Sequence, residues 1–328
     1  MKFRTEVHIP ISEKKILLTD SIFSVGSCFA AEMSQLLKNG QMQTLCNPFG
    51  TIFNPFSLNI AIQNLHDCKK YKEEDLILYN QEYISLNHHT SFNSFYAHKT
   101  LERINQNIET GNQFLQKTNW VIITYGTSFI YEFLPKNQLV ANCHKIPQKF
   151  FHKRLLTDEE LKNSITETIE NLKDICENDV QILFTVSPVR HTKDGMTENQ
   201  LSKSKLICAL HETLPHFENC HYLPIYEIMM DELREYRFYA DDMLHPSTTA
   251  IEYIWERFTG SMLSPDSLSI LKEWKDIQKA INHKPFQPES EAYKRFISQT
   301  LLKMERISEK IPSFDIRKEI EIVKSKLK

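Results

Sequence analysis

Glycine is scarce in this chain, with seven among 328 residues. Composition of this kind excludes a collagen-like repeat, and the ordinary hydrophobic content excludes a disordered chain. Neither GxGxxG nor GxxxxGKS/T occurs, so a nucleotide-cradling turn is not expected. Long apolar runs are missing too. Trp120-Val-Ile-Ile-Thr-Tyr125 is among the longest, far too short to cross a bilayer. Met1 to Leu18 alternates charged and apolar residues without the apolar core of a signal peptide, and is expected not to be one. There is no basic excess: 39 Lys and Arg face 42 Asp and Glu, for a formal charge of -3. Phosphate neutralisation supplies most of the affinity of a nucleic-acid binder, so neither nucleic acid nor a membrane span is expected here. The seven cysteines form an odd set with no CxxC pair. Free thiols in a reducing compartment, the cytoplasm, are the expectation.

What is present is a globular composition, 41% hydrophobic, 11% aromatic and 25% charged. The length suits one large domain with an appendage, or two small domains. Three short β-branched and aromatic runs end at Gly or Pro: Ser21 to Val25 before Gly26, Trp120 to Tyr125 before Gly126, and Val180 to Val186 before Ser187-Pro188. Such runs read as buried strands. Helical stripes lie between and after them, over Phe29–Leu37, Leu161–Ile175, Leu201–Leu214, Ile225–Leu233 and Thr248–Phe258. Thr157-Asp-Glu-Glu160 is a capping box opening the second of these. Strands alternating with helices predict an α/β protein with a largely parallel sheet. From residue 265 the chain is rich in Lys and Glu, with Pro265, Pro285, Pro288 and Pro312 as breakers. Helices are expected over Leu268–Ile281, Tyr293–Ile307 and Phe314–Leu327. The expected division is a main domain, 1–264, and a helical C-terminal extension, 265–328, that packs on the main domain or on a second subunit.

Open α/β sheets place ligands at the carboxyl ends of their strands. Gly26-Ser27-Cys28 is such an end, running directly into a helix. A nucleophile there meets helix N-terminal amides that favour a thiolate or an oxyanion. The plainer reading makes Ser27 a helix cap and Cys28 a small buried filler. A second cluster is Phe238-Tyr-Ala-Asp-Asp242-Met-Leu-His245-Pro-Ser247. Asp242, three residues before His245, is within reach of its imidazole and would hold the tautomer of a general base. His88-His89, followed by Thr90-Ser91, is a candidate cleft lining, but adjacent His side chains point in different directions and make a poor metal pair, and no three-ligand zinc spacing appears; neither metal nor cofactor is expected. Arg190, beside His191 at a strand end, suits a substrate carboxylate or phosphate, or is simply a surface residue. Tyr236, Phe238 and Tyr239 are either a stacking surface for a sugar or core.

A Gly-x-nucleophile turn after the first strand, a Gly turn after a middle strand and a late Asp-x-x-His resemble the layout of SGNH/GDSL-type hydrolases. Gly26-Ser-Cys-Phe-Ala30 further resembles the GSCFA domain family within that group. Asn47-Pro-Phe-Gly-Thr-Ile-Phe-Asn54-Pro, Thr124-Tyr-Gly-Thr-Ser128, Thr185-Val-Ser-Pro-Val-Arg-His191 and Tyr226-Glu227 through Arg237-Phe238-Tyr239 are similar to it as well. The resemblance covers roughly residues 21–260. It implies a three-layer α/β/α sandwich of SGNH/flavodoxin-like type, acting as an acyl-ester or acyl-thioester hydrolase or acyltransferase on a small molecule or carbohydrate. Cys28 takes the nucleophile position, with Ser27 where the hydrolases carry Asp. The Gly-x-Asn block that supplies an oxyanion amide is Gly126-Thr127-Ser128 here, so Asn54 or Asn47, from the Gly50 loop, would have to supply the amide. His89 and Arg190 are further cleft candidates. The rival expectation is a catalytically silent protein that binds a glycan or metabolite in the same cleft. The C-terminal helices are candidates for a homo-oligomer contact.

Overall fold

A computed structural model describes residues 5–10, 13–311 and 314–327; Pro312 lies outside them. The chain opens with β1 (Ser21–Gly26), α1 (Cys28–Asn39), β2 (Gln43–Cys46) and α2 (Pro55–His66). An antiparallel pair, β3 (Ile77–Tyr79) and β4 (Glu82–Ile84), precedes α3 (Ala97–Gln116) and β5 (Trp120–Tyr125). Next come β6 (Phe129–Phe133), β7 (Gln138–Val140) and β8 (Phe151–Leu155), a separate antiparallel sheet ordered β7-β6-β8. Then follow α4 (Asp158–Ile175), β9 (Gln181–Val186), α5 (Met196–Thr213), β10 (Cys220–Tyr222) and the single turn α6 (Ile225–Glu227). The last helices are α7 (Thr248–Met262), α8 (Pro265–Asn282), α9 (Glu291–Lys310) and α10 (Arg317–Ser325).

The main sheet has the order β10-β9-β5-β1-β2, with β1, β5, β9 and β10 parallel. Counted within this sheet alone, the order is 2-1-3-4-5, the doubly wound arrangement of a three-layer α/β/α sandwich. Its topological switch point lies between β1 and β5, the place where sheets of this kind take their ligands. Every residue of β1, β5 and β9 is buried. Central strands covered on both faces must be apolar on both, which is why they read as continuous runs rather than alternations. Phe23, Ile123 and Phe184 of these strands share a core with Ile104, Ile165, Ile169 and Leu206 of the helices. Each such fully buried side chain contributes about 2 kcal/mol. The Thr157–Glu160 capping box forms as expected and starts α4.

Several elements differ from expectation. Strands β2 and β10 are short, and β2 is mostly half-buried, so neither carries a long apolar run. Ile225–Leu233 is not one α-helix: α6 passes into a π turn over Ile228–Glu232. Pro265 opens α8 rather than breaking the chain. Ser264 caps that helix by accepting from the Ser267 N–H, and proline at the first position needs no N–H partner.

The chain divides into two compact units, neither of them continuous in sequence. The first comprises the described residues up to 10, 21–34 and 44–256; the second comprises 13–20, 35–43 and the described residues from 257 onward. The second unit recruits earlier segments through specific contacts. Ile16 pairs with Leu263, the Leu18 N–H donates to Ser267 Oγ, and Trp274 Nε1 donates to the Asn39 carbonyl at 2.8 Å. Trp274 meets Phe314 edge-on at 5.2 Å, both fully buried. Among the described residues no helix is long and apolar enough to cross a membrane.

Candidate active site

The site is built on the turn out of β1. Gly26 has φ +131°, and a Cβ there would stand 2.1 Å from the Thr124 carbonyl oxygen. Only glycine permits this approach of β1 to β5. The Gly26 N–H donates to Asn47 Oδ1 (2.8 Å), the Ser27 N–H to Thr124 O (3.0 Å), and the Ile52 N–H to Gly26 O (3.1 Å). These bonds drive the chain straight into α1, whose first residue is Cys28. Ser27 is fully buried, and its hydroxyl has no partner among the described residues. Cys28 is half-buried, and its Sγ lies 3.7 Å from His245 Nε2.

His245 is held from the other side. Its Nδ1 meets Asp242 Oδ2 at 2.6 Å, while Asp242 Oδ1 accepts the N–H groups of Leu244 (2.8 Å) and His245 (3.0 Å). The backbone N–H groups of His245 and Leu244, and then the imidazole, pull the Asp242 carboxyl down to about 2. An ionised carboxylate only accepts, so Nδ1 carries a proton, and in the neutral imidazole Nε2 then presents its lone pair toward Sγ. Bonds from the Ala240 N–H to His245 O (2.8 Å) and from the Ser247 N–H to Phe238 O (2.8 Å) close the surrounding loop, with Met243 at φ +58°.

The electrostatics of Cys28 differ from the expected ready thiolate. Burial pushes the thiol above its ordinary value and outweighs the Phe29 and Cys28 amides and the Lys203 charge, which pull it down. Helix N-terminal amides are present, but desolvation prevails. A resting thiol therefore needs a base, and His245 is in place. Lys203 was not among the expected site residues. It projects from α5, is fully buried, and donates to the Ser187 carbonyl at 2.7 Å. Burial lowers its ammonium to about 7, against the opposing effect of Cys28. Its signal was in the sequence: Lys203, Leu206 and Leu210 share one helical face, and a lysine on an apolar stripe is out of place.

The remaining candidates fall into two groups. The Gly126 and Thr127 N–H groups both donate to the Phe53 carbonyl, at 2.7 and 3.0 Å. Thr127 Oγ1 bonds Ser202 Oγ, and the Ser128 N–H and hydroxyl donate to that same Ser202 Oγ. All three residues are thus engaged within the scaffold rather than presenting donors to a ligand. Asn47 is likewise engaged at Gly26. Gly50 has φ +78° and packs directly on His89, and His89 Nδ1 accepts the Ser91 N–H. Asn54 caps α2 through its carbonyl oxygen, leaving Nδ2 without a partner among the described residues. Arg190 stacks on Tyr239 and bonds the His245 loop. His191, edge-on to Phe53 at 5.6 Å, has a buried Nε2 without a partner among the described residues, and burial pushes it down to about 4. Among the described residues no three side chains form a metal-binding group.

Fold and site together define a doubly wound α/β protein with a Cys–His–Asp line at the switch point of its sheet. The GSCFA family model matches residues 21–258, and that of the GSCFA domain protein C-terminal domain matches 274–328. The chain belongs to the GSCFA family. The comparison with curated proteins finds no match.

Proposed function

We propose that this chain is an SGNH-like acyl-ester or acyl-thioester hydrolase or acyltransferase that carries its acyl group on Cys28. The observation behind this reading is the continuous line Cys28 Sγ, His245 Nε2, His245 Nδ1, Asp242 Oδ2, with separations of 3.7 and 2.6 Å across its two contacts. His245 takes the thiol proton as Sγ bonds to the acyl carbonyl carbon. The carbonyl electron pair moves to oxygen and then returns, the bond to the leaving group breaks, and the imidazolium protonates that group. A water, hydroxyl or amine then gives its proton to His245, attacks the thioester and releases Cys28 as a thiol. Asp242 stabilises the imidazolium in both halves. Asn54 Nδ2 is the free amide among the candidate oxyanion donors. The substrate class is a small-molecule or carbohydrate acyl compound. The seven free thiols suit a reducing compartment, the cytoplasm.

One observation favours the rival, a silent binding protein: the Gly126, Thr127 and Ser128 donors are all engaged. The test is turnover of an activated thioester, with mass spectrometry of the acyl adduct. Cys28→Ala should abolish both turnover and adduct, and Ser27→Ala should retain a sizeable fraction. The reverse result makes Ser27 the nucleophile; no turnover and no adduct in the wild type leaves the binding protein.

A further inference from the structure

Arg190 is held in place but not neutralised. Its guanidinium carbon stands 3.8 Å over the Tyr239 ring and 5.4 Å from that of Tyr236, which is 66% exposed. The Arg190 N–H donates to Leu244 O at 3.1 Å, whereas Nη1 reaches Met243 O only at 3.5 Å. Arg154, Arg234 and Arg317 each have a carboxylate partner; among the described residues Arg190 has none. Neighbouring Asp242 does not serve, since its oxygens hold two backbone N–H groups and the His245 ring. A guanidinium offers five N–H donors in a rigid fork, and here a single long contact uses one. The stack on Tyr239 fixes the plane of the fork before any ligand arrives, which reduces the entropy lost on binding. Met243, which Nη1 approaches, lies two residues from His245, at most about 7 Å of chain.

We propose that Arg190 is the anion-binding residue of the candidate active site, and that the acyl substrate carries a carboxylate or phosphate close to its reactive carbonyl. The fork matches the paired oxygens of either group. The proposal rests on the reading of Cys28 as the reacting residue, and its test separates the two.

Alkylation of Cys28 in the whole chain is followed by mass spectrometry with anionic iodoacetate and neutral iodoacetamide, using exposed Cys68 as the internal reference. At low salt the iodoacetate-to-iodoacetamide rate ratio should be at least about tenfold higher at Cys28 than at Cys68, the lower end of electrostatic focusing in a cleft. In Arg190→Gln the ratio at Cys28 should fall at least about threefold toward that of Cys68, the Lys203 charge remaining in place. An equal ratio at both cysteines, or one that Arg190→Gln leaves unchanged, overturns the proposal and leaves Arg190 a clamp on the His245 loop. A second arm needs no reaction at Cys28. Succinate or inorganic phosphate should raise the melting temperature of the wild type and not of Arg190→Gln, and the more effective anion identifies the group. No rise, or equal rises in both proteins, overturns the proposal. Should Cys28 resist both reagents, the nucleophile reading fails and the thermal arm alone decides the fate of Arg190.

Discussion

Replacing Asp242 with Asn tests the role of the carboxylate while sparing its surroundings. Asn can keep its oxygen where Asp242 Oδ1 now accepts the Leu244 and His245 N–H groups, so the loop should hold its shape. The amide nitrogen then faces His245 Nδ1, where Oδ2 stood at 2.6 Å. An N–H donor there requires Nδ1 to accept, which moves the ring proton to Nε2 and aims it at Sγ. The base has lost its lone pair. In a well-studied triad this exchange costs about 10⁴-fold in turnover. Here the His245 and Asp242 side chains are 50% and 46% exposed, so water competes for Nδ1 and can restore the useful tautomer. The expected loss is therefore smaller, roughly 10²- to 10³-fold, still within the range of a lost general base. Turnover of an activated thioester, or the rate of iodoacetamide with Cys28 between pH 6 and 9, measures it. Asp241 makes no polar contact among the described residues, so Asp241→Asn should stay within about twofold. A folded Asp242→Asn protein that loses less than threefold, or no more than Asp241→Asn, would refute the argument.

Two further outcomes concern stability. His88 is fully buried with Nε2 unpaired among the described residues, and burial, then the His144 and Lys69 charges, push it from 6.5 down to about 3. Its folded value is depressed, so its contribution is complete above pH 6.5 and is lost as pH falls toward 3, by about 2 kcal/mol at pH 5. Urea unfolding at pH 7.5 and 5.0 should show His88→Gln losing less stability than the wild type by that amount; identical losses would contradict it. Gly26→Ala should cost about 3 kcal/mol, or roughly 6–12 °C in melting temperature, because its Cβ would lie 2.1 Å from a strand carbonyl that cannot yield. A wild-type melting temperature would show that the turn relaxes easily.

The legible parts of the fold were those set by local rules. β1, β5 and β9 are buried on both faces, so their residues announce themselves without a neighbour. Asp242 and His245 are close in sequence, and the loop between them needs little beyond its own backbone to bring them together. What escaped depends on partners far along the chain. The Gly126–Ser128 amides look available in the sequence, and only Phe53 and Ser202, roughly 75 residues away on either side, reveal that they are engaged. The direction of the Cys28 shift escaped for a similar reason. Desolvation is a sum over everything packed around the sulfur, and no local motif encodes that sum.

The small β7-β6-β8 sheet sits wholly between β5 and α4, where a doubly wound fold needs only a few linking residues. It is additional material on the same strand end that carries Gly126, and its ladder is its own. Lengthening a surface connection costs only about 0.6 kcal/mol per doubling of loop length, so the exposed turns of this segment can change in size at little expense to the sheet, while Ile130 stays tied to the main core. The backbone bonds that shape the Gly26 turn run through Asn47, Ile52 and Thr124, none of which belongs to that insertion. The segment 129–155 can therefore vary in its exposed turns without touching the bonds that hold the Gly26 turn.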